Sequence, residues 1–325
     1  MTGIGNIPYF EIPIDKSGNP VDPESVEHIS RYLETQGSPA RDLFVMSHGW
    51  NSNMSDARGL YESFFSQFRR TLDEHAAPGI AVGHCVIAGI LWPSERFTDP
   101  ALIPGGAASL GFTGVRDTAS MLLNLATFHR MKERAGTVGR GGVAESLNRL
   151  QAAFPRVRIH LAGHSFGCRV ITAAAAVVAK PVASMMLFQA AFSHNAFSPD
   201  FDSTHRPGAF RGVVTGRKFR GPMLISHSIR DEAVGLGYPI ASRLRGDRAS
   251  SLGGVNDVYG GLGRTGALHT PEASDGELLE AGAPYSFAPG RIFNLRADDI
   301  IASHCDIVKP ETAWALIAAA SSTLV

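Results

Sequence analysis

One pentapeptide in the chain has the residue types and spacing of a hydrolytic nucleophile. Gly163–His164–Ser165–Phe166–Gly167 is a G-x-S-x-G motif. In a nucleophile elbow the serine sits on a sharp strand-to-helix turn, and the flanking glycines leave room where strand and helix approach. In a chain with 35 glycines the pentapeptide alone is a weak signal, so its surroundings must decide. A serine hydroxyl is a poor nucleophile at its free pKa. It needs a base to take its proton and an acid to orient that base. The histidines after Ser165 are His194, His205, His227, His269 and His304. The acids in loop or strand-end positions are Asp200, Asp202, Asp231, Asp298 and Asp299. The oxyanion of a tetrahedral intermediate needs two preorganised N–H donors. The backbone N–H of Phe166, directly after the serine, is expected to be one, because a helix N-terminus favours negative charge.

The elements that must hold these residues can be read from periodicity and punctuation. Residues 42–47 and 84–92 read as buried strands, the second ended by Pro93. Residues 57–75, with Leu60, Phe64, Phe65, Phe68 and Leu72 at helical spacing, read as a helix closed by Pro78–Gly79. A helix over 143–154, a strand over 157–162 and an Ala-rich helix over 166–179 frame the pentapeptide. Strands follow over 182–188, 223–228 and 291–295, then a C-terminal helix over 312–321. Residues 7–14 read as an edge strand, which Pro8 and Pro13 would suit. Strand–helix alternation predicts an α/β fold, a mostly parallel sheet with helices on both faces, in a single domain. Two stretches, 94–142 and 232–290, break the alternation and read as insertions at an active-site mouth. The first carries a helix over about 116–134 with Met121, Leu122, Leu123, Leu125, Phe128 and Met131. That helix could be a lid or part of the core. The second carries a short helix near 240–245.

With these elements in place the chain resembles the α/β-hydrolase superfamily. More narrowly, it is similar to a bacterial esterase/lipase-like group of mostly unassigned physiological role. The resemblance rests on His48–Gly49–Trp50–Asn51 after the first strong strand, Trp92–Pro93–Ser94 at the end of the next, and the elbow 163–167. Beyond these, Ser228–Ile229–Arg230–Asp231 follows a later strand, and a Gly-rich Leu252–Gly253–Gly254 lies further on. It implies a triad in the chain order Ser, Asp, His. Ser165 would be the nucleophile. Asp231, just past the strand 223–228, would be the acid, with Asp298, Asp299, Asp200 and Asp202 as rivals. His304, between the last strand and the C-terminal helix, would be the base, with His269 as its rival. The second oxyanion donor is assigned to the Trp50 N–H, with Asn51 competing.

Composition narrows the reading. Thirty basic and thirty acidic residues leave no net charge, which argues against a nucleic-acid partner. A hydrophobic content of 44% excludes a mostly disordered chain. No apolar run approaches a membrane span and no signal segment is evident, so a cytoplasmic location is expected. Cys85, Cys168 and Cys305 form no CxxC, and neither a disulfide framework nor a cysteine zinc site follows. The G-x-G-x-x-G at 261–266 follows no strand, and no cofactor or metal is expected. Arg206, Arg211, Arg217, Lys218 and Arg220 read as a solvated basic face. The resulting expectation is a serine hydrolase that cleaves a small-molecule or lipid carboxylic ester through an acyl-enzyme. A lipase, phospholipase or thioesterase on the same triad is the alternative. A catalytically silent α/β-hydrolase that binds a ligand is another.

Overall fold

The computed structural model describes residues 3–35, 41–50, 52–94, 118–201, 205–237 and 260–324. Nine strands form one sheet: β1 (Gly3–Ile4), β2 (Ile7–Pro13), β3 (Asp42–Ser47), β4 (Cys85–Leu91), β5 (Arg158–His164), β6 (Ser184–Phe188), β7 (Met223–His227), β8 (Ala273–Glu277) and β9 (Ile292–Arg296). Their spatial order is β1-β2-β4-β3-β5-β6-β7-β9-β8, and every pair except β1·β2 is parallel. This is the mostly parallel α/β architecture that strand–helix alternation predicts. Parallel strands need crossovers, and the crossover helices cover both faces of the sheet. Strand β3 records the result residue by residue. Leu43 and Val45 enter one core, while Phe44 and Met46 enter the other, all fully buried.

The first core is closed by α1 (Ser25–Thr35), α3 (Thr118–Val138), α4 (Ala144–Ala153) and α5 (Phe166–Val177). The second is closed by α2 (Met54–Glu74) and the C-terminal helix Pro310–Ser321. Both of those helices start earlier than apolar periodicity suggests, because local chemistry sets their ends. Asn53 caps α2 by accepting from the Asp56 N–H, and the Asp56 carboxylate accepts from the Asn53 N–H in return. Pro310 opens the C-terminal helix, where its missing N–H costs nothing.

Three expectations are revised. Residues 7–14 do not form the outer edge: β2 carries the two-residue β1 on its outer side. Gly136–Gly142 does not end an insertion. The chain runs from α3 through a turn (Gly139–Val143), where Gly141 leaves helical geometry at φ −87° and ψ −118°, directly into α4. A Cβ on Gly139 would lie 2.2 Å from the Val170 carbonyl oxygen, so this glycine serves close helix packing against α5. The second stretch, 232–290, contributes β8 to the sheet; its sequence ASDGE is polar and mostly exposed, which hides it from a hydrophobic search. The loop 95–117, the helix near 240–245 and Leu252–Gly254 lie outside the described residues. Among the described residues, no helix is long and apolar enough to cross a membrane.

Candidate active site

The elbow is built by close approach. Ser47 of β3 pairs in register with Gly163 of β5, so the segments leaving both strands run side by side. A Cβ on Gly167 would meet the Ser47 carbonyl oxygen at 2.1 Å, and one on Gly163 would meet the Cys168 nitrogen at 2.6 Å. Only glycine fits either place. Between them Ser165 takes φ +56° and ψ −122°, outside the regions that L-residues normally occupy. Such a backbone costs on the order of 1–3 kcal/mol and persists only where the surroundings over-determine it. Here the Ser165 N–H donates to the Phe188 carbonyl at 3.1 Å. The Ser165 carbonyl accepts from Cys168 N–H at 3.1 Å and from Ala191 N–H at 3.2 Å.

Two further connections bring an acid and a base to the same edge of the sheet. Asp231 follows β7 and His304 follows β9. The Asp231 Oδ2–His304 Nδ1 distance is 2.8 Å, with Asp231 fully buried and the His304 side chain 19% exposed. The other carboxylate oxygen, Asp231 Oδ1, accepts from the Val234 N–H at 2.9 Å. The rivals are engaged elsewhere. Asp298 accepts from the Ile229 N–H, Asp299 lies beside Arg230 on the surface, Asp200 pairs with His205, and His269 bonds Asn195. Asp202 and Asn51 are outside the described residues. His304 is tied directly to the elbow: His164 Nε2 donates to the His304 carbonyl at 2.8 Å, and the two rings stand 4.9 Å apart. Burial, with the neighbouring His304 adding to it, pushes His164 down to a pKa of about 3, so it is a neutral donor at physiological pH.

The loop after β3 is stitched to the loop after β4, which gives both sequence motifs a common purpose. Trp92 N–H donates to His48 Nε2 at 3.3 Å, Trp92 Nε1 donates to the His48 carbonyl at 3.1 Å, and the rings stack 5.5 Å apart. His48 Nδ1 is 2.9 Å from the Gly49 carbonyl; burial lowers its pKa to about 4, so it stays neutral as a strut. Ser94 Oγ donates to the Ser52 carbonyl at 2.8 Å. The braced loop lies against the elbow: a Cβ on Gly49 would meet Ser165 Cβ at 2.8 Å. The Trp50 ring packs edge-on against Phe166 (6.0 Å) and Phe128 (6.4 Å), and Phe128 lies 5.3 Å from Phe166. Phe128 and Met131 are buried, so the C-terminal half of α3 is core; the side chains of Met121, Leu122, Leu123 and Leu125 lie outside the described set. Phe166 is the first residue of α5, where an N–H has no intrahelical acceptor.

Two residues of this site have no functional assignment from the sequence: His164, the variable position of the motif, and Gln189. Gln189, one residue past β6, is fully buried at φ +45°. Its Oε1 accepts from Ser226 Oγ at 2.8 Å, and its Nε2 faces Asp231 Oδ2 at 3.5 Å and the Gly263 carbonyl at 3.2 Å. Its place at a strand's carboxyl end, where open α/β sheets build their sites, was the available signal. The G-x-G-x-x-G stretch serves the same scaffold: Gly263 N–H donates to the Ala190 carbonyl. Cys305, next to His304, has its thiol pKa raised by partial desolvation of the sulfur and by the Asp231 charge, which disfavours a thiolate.

No family model matches the chain, and no curated protein does. Among solved structures, the crystal structure of TT1662 from Thermus thermophilus aligns over 87% of this chain and 88% of that one. The identity is 15% and the TM-score 0.37, too low to carry any inference about activity.

Proposed function

We propose that this α/β-hydrolase-like chain is a serine hydrolase acting on carboxylic esters. Ser165 Oγ attacks the ester carbonyl while His304 takes its proton through Nε2, the ring nitrogen not facing Asp231. The same imidazolium then protonates the leaving alcohol. Asp231 holds the ring in that tautomer and stabilises its positive charge. Water, deprotonated by His304, attacks the acyl-enzyme and releases the acid. The N–H groups of Phe166 and Trp50 hold the oxyanion; each such donor is worth about 3–4 kcal/mol.

One observation carries this reading. A serine is held in a strained strand-to-helix turn while an Asp–His pair from two other connections closes to 2.8 Å on the same sheet edge. Strain at one serine and a buried carboxylate behind one exposed imidazole are costs that a purely structural turn does not require.

The test is a panel of p-nitrophenyl esters of increasing acyl length, run on wild type and Ser165→Ala together. Wild type should turn over the panel and Ser165→Ala should lose at least about 10³-fold in kcat. Undiminished hydrolysis by Ser165→Ala rules the proposal out. A folded wild-type protein that neither turns over esters nor reacts with a fluorophosphonate points instead to a silent binding protein.

A further inference from the structure

The base of the proposed triad sits on a turn with few outside supports. His304 lies in the connection between β9 and the C-terminal helix, where Ala302 and Ser303 are exposed. Most bonds of this turn stay local. Ala302 N–H and Lys309 Nζ donate to the Asp306 carboxylate at 3.0 and 2.9 Å. Asp306 N–H donates to the Ser303 carbonyl, and Ile307 N–H to the Cys305 carbonyl. Among the described residues, His304 alone within 302–306 bonds groups distant in the chain, and it does so twice. Its ring meets Asp231 at 2.8 Å, and its carbonyl accepts from His164 Nε2 at 2.8 Å.

The second of these bonds joins base to nucleophile by a short route. His164 is the last residue of β5 and directly precedes Ser165. Its own place is fixed without His304. Its backbone pairs in register with Phe188 of β6, and the residue is only 7% exposed. Its other ring nitrogen, Nδ1, lies against the loop after β3, where a Cβ on Gly49 would stand 3.3 Å away. One buried ring is therefore wedged between the loop after β3 and the loop after β9.

The two bonds at His304 do different work. A contact at Nδ1 alone leaves the imidazole free to pivot about Asp231. A second hold on the backbone fixes where Nε2 points. His164 also suits the place electrically, because burial keeps it neutral at physiological pH. A charged donor with its ring 4.9 Å away would oppose the imidazolium that forms during turnover.

We propose that His164 is a positioning residue: its hydrogen bond to the His304 carbonyl sets the distance between Ser165 Oγ and the base. The inference rests on the ester-hydrolase reading and deepens it. His164 touches neither the ester nor the transferred proton, so it acts on kcat through geometry.

His164→Gln and His164→Met test it. Both side chains are unbranched and similar in length, but only glutamine can donate. Each variant is assayed on a short p-nitrophenyl ester, by the rate of Ser165 labelling with a fluorophosphonate, and by a thermal melt. His164→Met should lose about 10²-fold in kcat, with a matching loss in labelling rate and KM within about threefold of wild type. His164→Gln should recover at least about tenfold of that loss. The two melting temperatures should agree within about 4 °C. Should His164→Met not fold, His164→Phe replaces it, keeping a ring without the donor, with the same loss expected. A donor-free variant within about threefold of wild-type kcat overturns the proposal. Equal losses in the Gln and Met variants overturn it too, since they mark a packing role. Wild type that labels Ser165 while either result holds leaves the ester-hydrolase reading standing. Wild type that does not label overturns that reading, and this inference with it.

Discussion

At the scale of single residues, the site depends on which atoms Asp231 faces. Its Oδ2 lies 2.8 Å from His304 Nδ1 and its Oδ1 accepts from the Val234 N–H. Asp231→Asn preserves size and retains an oxygen for Val234, yet it can set an amide N–H against His304 and favour the wrong tautomer. If the ester-hydrolase reading holds, kcat should fall about 10⁴-fold with little change in melting temperature. Steady-state kinetics beside a thermal melt check both parts. Gln189 is the nearest neutral support, since its amide faces the same carboxylate oxygen. If His304 is the base, His164 positions it: the His164 Nε2–H holds the His304 backbone and the two rings stand 4.9 Å apart.

At the scale of elements, glycines decide how closely strands and helices approach. Gly167 lets α5 lie on the end of β3, where a methyl group would sit 2.1 Å from the Ser47 carbonyl oxygen. Gly167→Ala must therefore push α5 off the sheet and move Ser165 with it. It should destabilise the fold by about 3 kcal/mol or more, in the range of severe overpacking, and, if Ser165 is the nucleophile, abolish ester hydrolysis. Gly59, in the middle of α2, has nothing within 4 Å of its would-be Cβ. Gly59→Ala should therefore stabilise by about 0.5–1 kcal/mol through helix propensity alone. Urea unfolding of the two variants side by side measures effects of opposite sign. Equal effects would contradict the packing argument.

At the scale of the whole molecule, buried neutral histidines make stability depend on pH. Burial lowers His48 to about 4 and His164 to about 3, and it lowers His160, which sits between Asp42 and Ser184, as well. An unfolded histidine titrates near 6.5. Below that pH the unfolded chain takes up protons that the folded chain refuses, so protonation favours unfolding. The contribution is fully present above about pH 6.5 and is lost as pH falls toward 4, by up to about 1.4 kcal/mol per pH unit for each histidine. Urea unfolding at pH 7.5, 6 and 5 should give a steadily falling free energy. A flat profile across that range would show that these rings are not held neutral.

What the sequence determined by itself is what neighbours along the chain decide. Apolar runs place β3, β4, β5, β6, β7 and β9, and helical spacing places α2, α3, α4, α5 and the C-terminal helix, because two covered faces demand continuous apolar strands. The pentapeptide marks the strained turn at Ser165, because glycine spacing and the strand-to-helix switch are local. Other features were not legible. Strand β8 is polar and mostly exposed, so it joins the sheet by backbone pairing with β9 without an apolar pattern. The Gly136–Gly142 cluster marks the kink between α3 and α4, but the close approach of Gly139 to α5 is not readable from it. The meeting of Asp231 with His304, 73 residues away, follows from which strands lie side by side. The same holds for the His48–Trp92 brace and the support from Gln189. Each joins side chains from separate strand ends, and only the parallel order of the sheet brings those ends together.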